Sequence, residues 1–140
     1  MKNKKCPFCK LDKQRTRILK ENKLFYVVLS NPALVHGHLL IIPKRHVGKF
    51  SELNSKELND LSKLIKKFNQ IILKKFKGCD TEIHYRPFQK EDGIKVNHLH
   101  IHLKPRGFQD NLYKKCQVYE KSIWYKLSQK ELDKIKKELK

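Results

Sequence analysis

Residues 97–106 read NHLHIHLKPR, a segment in which three histidines alternate with three aliphatic residues. Successive side chains of a β-strand point to opposite faces, so this alternation separates the two kinds of residue. The aliphatic residues can enter a core, while the rings of His98, His100 and His102 share the opposite face. The segment therefore predicts a strand with one buried face and one face that lines a polar site.

Two helices are predicted, over residues 54–77 and 128–139. Each begins with a capping-box sequence, NSKE in the first and SQKE in the second. Each also carries apolar residues at three- and four-residue intervals, which places them on one stripe. Gly78 ends the first helix. The long helix thus offers an apolar face that a sheet can cover.

Strand-like segments make up much of the remaining chain. The predicted strands cover residues 16–19, 24–29, 39–42, 81–86 and the histidine segment, with a further candidate around Trp124 within residues 117–127. Residues 108–115 are predicted as a loop. We expect one α+β domain over residues 1–140, with a mainly antiparallel sheet of about five strands, one long helix and a short C-terminal helix.

The chain is strongly basic, with 33 Lys and Arg against 14 Asp and Glu and a net charge of +19. This charge fits an anionic partner such as a nucleotide or nucleic acid, but scattered lysines also fit a well-solvated surface. No aromatic-studded RNA-binding pattern accompanies them, so nucleic acid is the less favoured partner. No apolar run approaches the roughly 20 residues of a bilayer span, and no apolar signal follows the basic N-terminus. These features predict a cytoplasmic protein without membrane contact.

Three neighbouring imidazoles suit nucleophilic chemistry on phosphorus. A neutral imidazole is a good nucleophile near pH 7 and needs no separate base. Adjacent rings can donate hydrogen bonds to the charge that builds up on phosphoryl oxygens. An accidental cluster, or one that only binds metal, is the alternative. His36 and His84 acquire no role from the sequence.

Cys6 and Cys9 form a C-x-x-C pair. In a cytosolic chain such a pair indicates either metal binding or redox chemistry. A redox pair of the thioredoxin kind lies between a strand and a helix, and residue 6 leaves no room for a preceding strand. Metal binding is therefore the favoured interpretation.

Several motifs together resemble the histidine triad (HIT) superfamily. These are the C-x-x-C pair, the segment GHLLIIPKRH over residues 37–46, the long helix and the run HLHIHLKPR, and they follow the family's order. The sequence DNL at residues 110–112 is similar to the branch that contains diadenosine polyphosphate hydrolases and phosphorylases. The resemblance covers nearly the whole chain.

The resemblance implies an α+β HIT-like fold, usually a homodimer, and a nucleotidyl hydrolase or transferase. By position, His100 would be the catalytic nucleophile on the α-phosphate of a nucleotide conjugate of the dinucleoside polyphosphate type, forming a covalent nucleotidyl-histidine. His102 and His38 would hold phosphate oxygens. A nucleoside phosphoramidase and a non-catalytic nucleotide- or nucleic-acid-binding module are the alternatives.

The resemblance also implies a structural zinc site. The zinc-bearing members of the family use two cysteines and two histidines, which match Cys6, Cys9, His46 and His98. Four nitrogen and sulfur ligands close a tetrahedral site. Residues 1–15 would then form a zinc-knuckle segment, and His98 would serve the metal instead of the substrate.

Four further residues are expected to bind substrate. The resemblance implies a ribose contact from Ser30 or Asn31, although an Asn-Pro sequence is equally typical of a turn. Arg106 stands where its guanidinium could meet a β- or γ-phosphate, although a solvated charge is the simpler interpretation. Relatives often carry Gln or Ser where this chain has Ile94 and Lys95, so Lys95 is expected to offer a cation to a polyphosphate leaving group.

Overall fold

The computed structural model describes residues 6–85, 96–116 and 125–139. Its strands are β1 (Ile18–Glu21), β2 (Phe25–Leu29), β3 (Leu39–Pro43), β4 (Gly78–Ile83) and β5 (Ile101–Arg106). They form one sheet of order β1-β2-β3-β5-β4, in which every neighbouring pair is antiparallel. Its helices are α1 (Ser55–Leu73), α2 (Asn111–Cys116) and α3 (Gln129–Glu138), and a 3₁₀ turn covers Phe50–Glu52. The α+β fold and the five-stranded antiparallel sheet are therefore confirmed.

Strand β3 lies at the centre of the sheet, and all five of its residues are buried. Its uninterrupted apolar sequence suits a strand that is covered on both faces. Leu39 and Ile41 join the main core, whereas Leu40 and Ile42 join a smaller cluster on the opposite side. We call the side that carries Leu40 and Ile42 the outer face of the sheet.

Helix α1 covers the other face of the sheet. Its capping box forms as predicted, because the Asn54 side chain accepts from the Glu57 amide and the Glu57 carboxylate accepts from the Asn54 amide. The helix buries Leu61, Leu64 and Phe68 against a core that includes the three aliphatic residues of the histidine segment. Each such side chain contributes about 1.5–3 kcal/mol when fully buried. The part of the chain that is described holds no helix with the length and hydrophobicity needed to cross a bilayer.

Several element boundaries differ from the sequence prediction. Helix α1 ends at Leu73 instead of residue 77, and β1 begins two residues later than predicted. Strand β4 covers Gly78–Ile83 instead of residues 81–86, because it pairs with β5 along its whole length from Gly78 onward. Residues 86 and 117–124, which include Trp124, lie outside the described residues.

Strand β5 begins only at Ile101, so the prediction of a continuous strand over all three histidines is wrong. The amide of Leu99 donates to the Val47 carbonyl at 2.6 Å, which ties this part of the chain to the turn after β3. The alternation itself holds, since Leu99, Ile101 and Leu103 all lie in the main core.

The predicted loop over residues 108–115 is also wrong in part, because α2 forms at Asn111–Cys116. The Asp110 carboxylate accepts from the Tyr113 amide at 2.9 Å and from the Gly107 amide at 3.2 Å. It therefore caps the first turn of α2, a role that aspartate fills well. The predicted C-terminal helix is confirmed as α3, including the capping box of Ser128 and Glu131.

Candidate active site and metal centre

The outer face of the sheet gathers the polar side chains of β5 and β4. His102 of β5 lies between Leu40 of β3 and Glu82 of β4 in the strand pairing. Because paired residues of neighbouring strands point to the same face, all three belong to the outer face. His38 stands two residues before Leu40 and so points the same way. The pairing thus brings together histidines that lie 64 positions apart.

Hydrogen bonds fix the tautomers of His38 and His102. The backbone amide of Leu34 donates to Nδ1 of His38 at 3.2 Å, so that nitrogen is an acceptor. A neutral His38 then carries its proton on Nε2 and donates it to Nδ1 of His102 at 2.9 Å. It follows that the His102 proton sits on Nε2, where it can be donated to a bound group.

His100 is the opposite tautomer, with its proton on Nδ1. Its Nδ1–H donates to the backbone carbonyl of His98 at 2.7 Å. The lone pair of the ring is therefore on Nε2. The His100 ring lies beside the His102 ring, with centroids 4.8 Å apart. The pair places a nucleophilic nitrogen next to a hydrogen-bond donor, which is the combination that phosphoryl chemistry requires.

Burial keeps these imidazoles neutral. It lowers the pKa of His38 to about 4 and that of His102 to about 3, with Lys104 adding to the effect at His38 and His100 adding at His102. Burial also lowers the pKa of His100. Neutral rings near pH 7 mean that His100 keeps its lone pair and that His38 and His102 act as neutral donors.

Cys6, Cys9, His46 and His98 come together although they are far apart in the sequence. Their ligand atoms all lie within 4.8 Å of one another, and both cysteines and His98 are buried. Nε2 of His98 donates to the Pro43 carbonyl at 2.8 Å, which leaves Nδ1 turned toward the thiols. Burial raises the pKa of the Cys6 thiol.

The spacing of these four side chains fits zinc. With Zn–S bonds of about 2.3 Å and Zn–N bonds of about 2.0 Å, a tetrahedral site separates sulfur from nitrogen by about 3.5 Å. Sγ of Cys6 lies 3.3 Å from Nδ1 of His98, and Sγ of Cys9 lies 3.2 Å from Nδ1 of His46 and 3.5 Å from that of His98. Two thiols and two ring nitrogens form a donor set that zinc favours. The hydrogen bond from Nε2 of His98 to the Pro43 carbonyl is also typical of a zinc-binding histidine.

Phe8 lies between the cysteine cluster and the histidines. Its ring meets His98 edge-on at 5.9 Å between centroids and 74° between planes. It meets His100 in the same way, at 5.2 Å and 80°. The segment that carries the two cysteines therefore also touches the ring whose Nε2 lone pair faces the site.

Sequence reasoning missed His84, which follows β4. Its ring lies 5.3 Å from the His102 ring, and its Nε2 donates to the Glu82 carboxylate at 2.9 Å. The other carboxylate oxygen of Glu82 pairs with Lys104, whose side chain is buried. The alternation of Asp80, Glu82 and His84 was a visible signal for one polar strand face. The pairing of β4 with β5, which places this face beside His102, could not be inferred from the sequence.

The residues predicted to bind substrate have varied surroundings. The hydroxyl of Ser30 donates to the Pro32 carbonyl at 2.7 Å, and Asn31 is exposed in the same turn. The guanidinium of Arg106 is bonded to Asp110 at 2.6 and 3.0 Å and to a second carboxylate on β4. Lys95 lies outside the described residues.

The five-stranded antiparallel sheet carries His38, His100 and His102 on its outer face, and a known protein family combines these two features. Residues 12–109 match the HIT domain family model. The chain therefore belongs to the histidine triad family, as its motifs indicated.

Curated relatives include named hydrolases. The chain is 30% identical over 95 residues to the bis(5'-nucleosyl)-tetraphosphatase (asymmetrical) of Schizosaccharomyces pombe, covering 68% of this chain and 52% of the relative. It is 33% identical over 106 residues to the adenosine 5'-monophosphoramidase HNT1 of Saccharomyces cerevisiae, covering 72% of this chain and 62% of that enzyme. The chain thus spans between about half and two thirds of the length of these two relatives.

Solved structures share the fold. A member of the HIT family from Bacillus subtilis superposes with a TM-score of 0.75 at 20% identity, covering 96% of this chain and 94% of that one. A Zn-bound histidine triad family protein from Mycobacterium smegmatis superposes with a TM-score of 0.63 at 21% identity, covering 77% and 79% of the two chains.

Proposed function

We propose that the protein is a nucleotidyl hydrolase that attacks the α-phosphate of a nucleotide conjugate through His100. One observation carries the proposal: the His100 Nδ1–H is bonded to the His98 carbonyl at 2.7 Å, which leaves Nε2 as a fixed nucleophile. The substrate class that we favour is a dinucleoside polyphosphate. The name of the tetraphosphatase relative and the charge of +19 both support an anionic substrate of this kind.

The reaction has two steps. In the first, the Nε2 lone pair of His100 forms a P–N bond to the α-phosphorus while the P–O bond to the leaving group breaks, and the leaving oxygen keeps the electron pair. His102 donates its Nε2–H to a phosphoryl oxygen, and His38 holds His102 in the donating tautomer. In the second step, water attacks the same phosphorus, the P–N bond breaks, and a nucleoside monophosphate leaves with one proton released to solvent.

Zinc has a structural role in this proposal. Cys6, Cys9, His46 and His98 would hold it, and with four protein ligands it has no open position for substrate. When bound, it supplies a crosslink between the cysteine segment and the chain before β5. His98 is then unavailable for acid–base chemistry, and its carbonyl remains free to orient His100.

Hydrolysis in water enriched in the heavy oxygen isotope tests the site of attack. The proposal predicts that the label enters the nucleoside monophosphate and stays out of the polyphosphate product, because water attacks the α-phosphorus. Label in the polyphosphate product would contradict it. Adenosine phosphoramidate serves as a second substrate, because the yeast relative is a named phosphoramidase and both conjugates share the first step.

Three finer expectations accompany the proposal: a homodimer, a cytoplasmic location and, for a transferase, phosphate in place of water as acceptor. Phosphate as acceptor would give a nucleoside diphosphate, which product analysis in phosphate buffer detects. Sedimentation velocity tests the homodimer. Asn31 or Ser30 at the ribose, and Lys95 at the outer phosphates, complete the substrate contacts that we propose. Arg106 would have to leave its two carboxylate partners to meet a phosphate.

A further inference from the structure

His84 is a fourth imidazole at the site, and no step of the proposed reaction uses it. Its ring lies 5.3 Å from the His102 ring, at an interplanar angle of 31°. The His102 ring also has the His100 ring at 4.8 Å and the His38 ring at 5.1 Å. His102 is thus surrounded by the nucleophile, by a buried histidine and by His84.

His84 lies on the solvent-exposed side of the histidine cluster formed by His38, His100 and His102. It follows the last pair of the β4–β5 ladder, Ile83 with Ile101, and so comes level with the beginning of β5. Its side chain is 42% exposed, whereas His38 is 3% exposed. A group that leaves the α-phosphorus for solvent must depart by the open side, away from the buried histidine.

Glu82 and Lys104 hold the His84 ring in one orientation. Nε2 of His84 donates to one oxygen of Glu82 at 2.9 Å, and the buried ammonium of Lys104 pairs with the other. Because Lys104 fixes the carboxylate, the carboxylate in turn fixes the ring, as an outer partner does for a functional imidazole. Nδ1 is then the ring nitrogen that points away from Glu82 and can meet a ligand.

We propose that His84 binds the leaving group, and that it does so by donating Nδ1–H to an oxygen of the departing polyphosphate. The inference rests on the proposed attack by His100. The Glu82 carboxylate at Nε2 and a phosphate oxygen at Nδ1 are both acceptors, so in the proposed complex the His84 ring carries a proton on each nitrogen. When the P–O bond breaks, the electron pair stays on the leaving phosphate oxygen, and the hydrogen bond from Nδ1–H stabilises that charge without a proton transfer. A leaving group without phosphate gains nothing from this contact, so His84 sets a preference for polyphosphate conjugates.

The test compares two leaving groups on the same nucleotide. Diadenosine tetraphosphate leaves as a polyphosphate, whereas the 4-nitrophenyl ester of adenosine monophosphate leaves as a phenolate that carries no phosphate. Loss of one donor to developing charge in an enclosed site costs about 100- to 1000-fold in kcat. We expect His84→Ala to lower kcat/KM for the tetraphosphate by at least about tenfold and that for the ester by less than about twofold. His36→Ala is the matched control, because His36 is exposed and its ring lies near Phe76, at 6.5 Å.

Two results would overturn the inference: an equal loss on both substrates, which indicates a structural role, or no loss on the tetraphosphate. A Glu82→Gln variant adds an independent readout, since it weakens the hold on His84 and should reproduce the same substrate-selective loss with a smaller magnitude. Failure of the proposed function has a different signature. In that case the unmodified protein releases no adenosine monophosphate from either substrate, and the His84 variants have nothing to modulate.

Discussion

The ring of Phe8 meets the ring of His100 edge to face, with centroids 5.2 Å apart and planes at 80°. Phe8 stands between the two cysteines of the candidate metal centre, and it also contacts His98. The ring of His100, the proposed nucleophile, therefore makes two positioning contacts: a hydrogen bond from its Nδ1 and an aromatic contact from the cysteine segment. Phe8 thus connects the candidate metal centre to the proposed nucleophile.

Removal of this aromatic contact should slow catalysis on every substrate alike. Edge-to-face pairs contribute about 0.5–1.5 kcal/mol beyond their buried area, so Phe8→Ala should lower kcat by about 2- to 10-fold. The effect should fall equally on the tetraphosphate and on the nitrophenyl ester, unlike that of His84→Ala. Phe108→Ala is the control, because Phe108 is 85% exposed. A selective loss on one substrate would contradict a positioning role for Phe8.

Metal removal should destabilise the protein. We expect one zinc per chain by elemental analysis and a lower Tm after treatment with a chelator, because a bound zinc would tie the cysteine segment to His46 and His98. Cys9→Ser should lose the zinc and show no further fall in Tm on chelation. Cys116→Ser serves as control, since Cys116 is exposed and lies on α2. A protein that contains no zinc and has a chelator-insensitive Tm would refute the site.

Acid should destabilise the fold through His38 and His102. Their pKa values fall from an ordinary 6.5 to about 4 and about 3, so the unfolded chain binds more protons than the folded one below pH 6.5. The stabilising contribution of the neutral rings is therefore complete above pH 6.5 and declines as the pH falls, toward 4 for His38 and toward 3 for His102. The free energy of unfolding should drop by up to about 1.4 kcal/mol per pH unit for each ring.

Urea unfolding at a series of pH values checks this expectation. The His38→Gln variant should give a shallower pH slope than the unmodified protein, because one of the two buried rings is absent. Parallel slopes for the unmodified and His38→Gln proteins would show that His38 does not carry the effect.

The turn before β3 offers a choice between two ribose contacts. The Ser30 hydroxyl is already bonded to the Pro32 carbonyl at 2.7 Å, whereas the Asn31 side chain is exposed. We expect Asn31→Ala to raise KM for the nucleotide by about fivefold, the loss of one hydrogen bond of about 1 kcal/mol, with kcat little changed. Ser30→Ala should raise KM less and lower Tm instead. The reverse order in KM would assign the contact to Ser30.

Local sequence signals predicted helices α1 and α3 and the separation of the histidine segment into a polar and an aliphatic face. The capping boxes at Asn54 and Ser128 need only residues three positions apart, and both form. The alternation around His100 needs only a period of two, and its aliphatic half is buried as expected. Such features depend only on residues that are close in the sequence, so they can be predicted from the sequence alone.

Contacts between distant residues account for what the sequence did not reveal. Strand β5 starts late because the Leu99 amide bonds to the Val47 carbonyl, 52 positions away. Helix α2 forms because Asp110 caps it while also holding Arg106. His84 gains its role from a strand pairing with β5 that no local pattern specifies. Each of these outcomes depends on which segments become neighbours.

A covalent adenylyl group on His100 is the most direct test of the central claim. The protein is mixed briefly with diadenosine tetraphosphate, quenched under mildly alkaline conditions that spare P–N bonds, and analysed by intact and peptide mass spectrometry. We predict an added mass of one adenylyl group, located on His100, and its absence from a His100→Ala variant that no longer turns over substrate. Turnover at an undiminished rate in His100→Ala, with no adduct on the unmodified protein, would contradict the account.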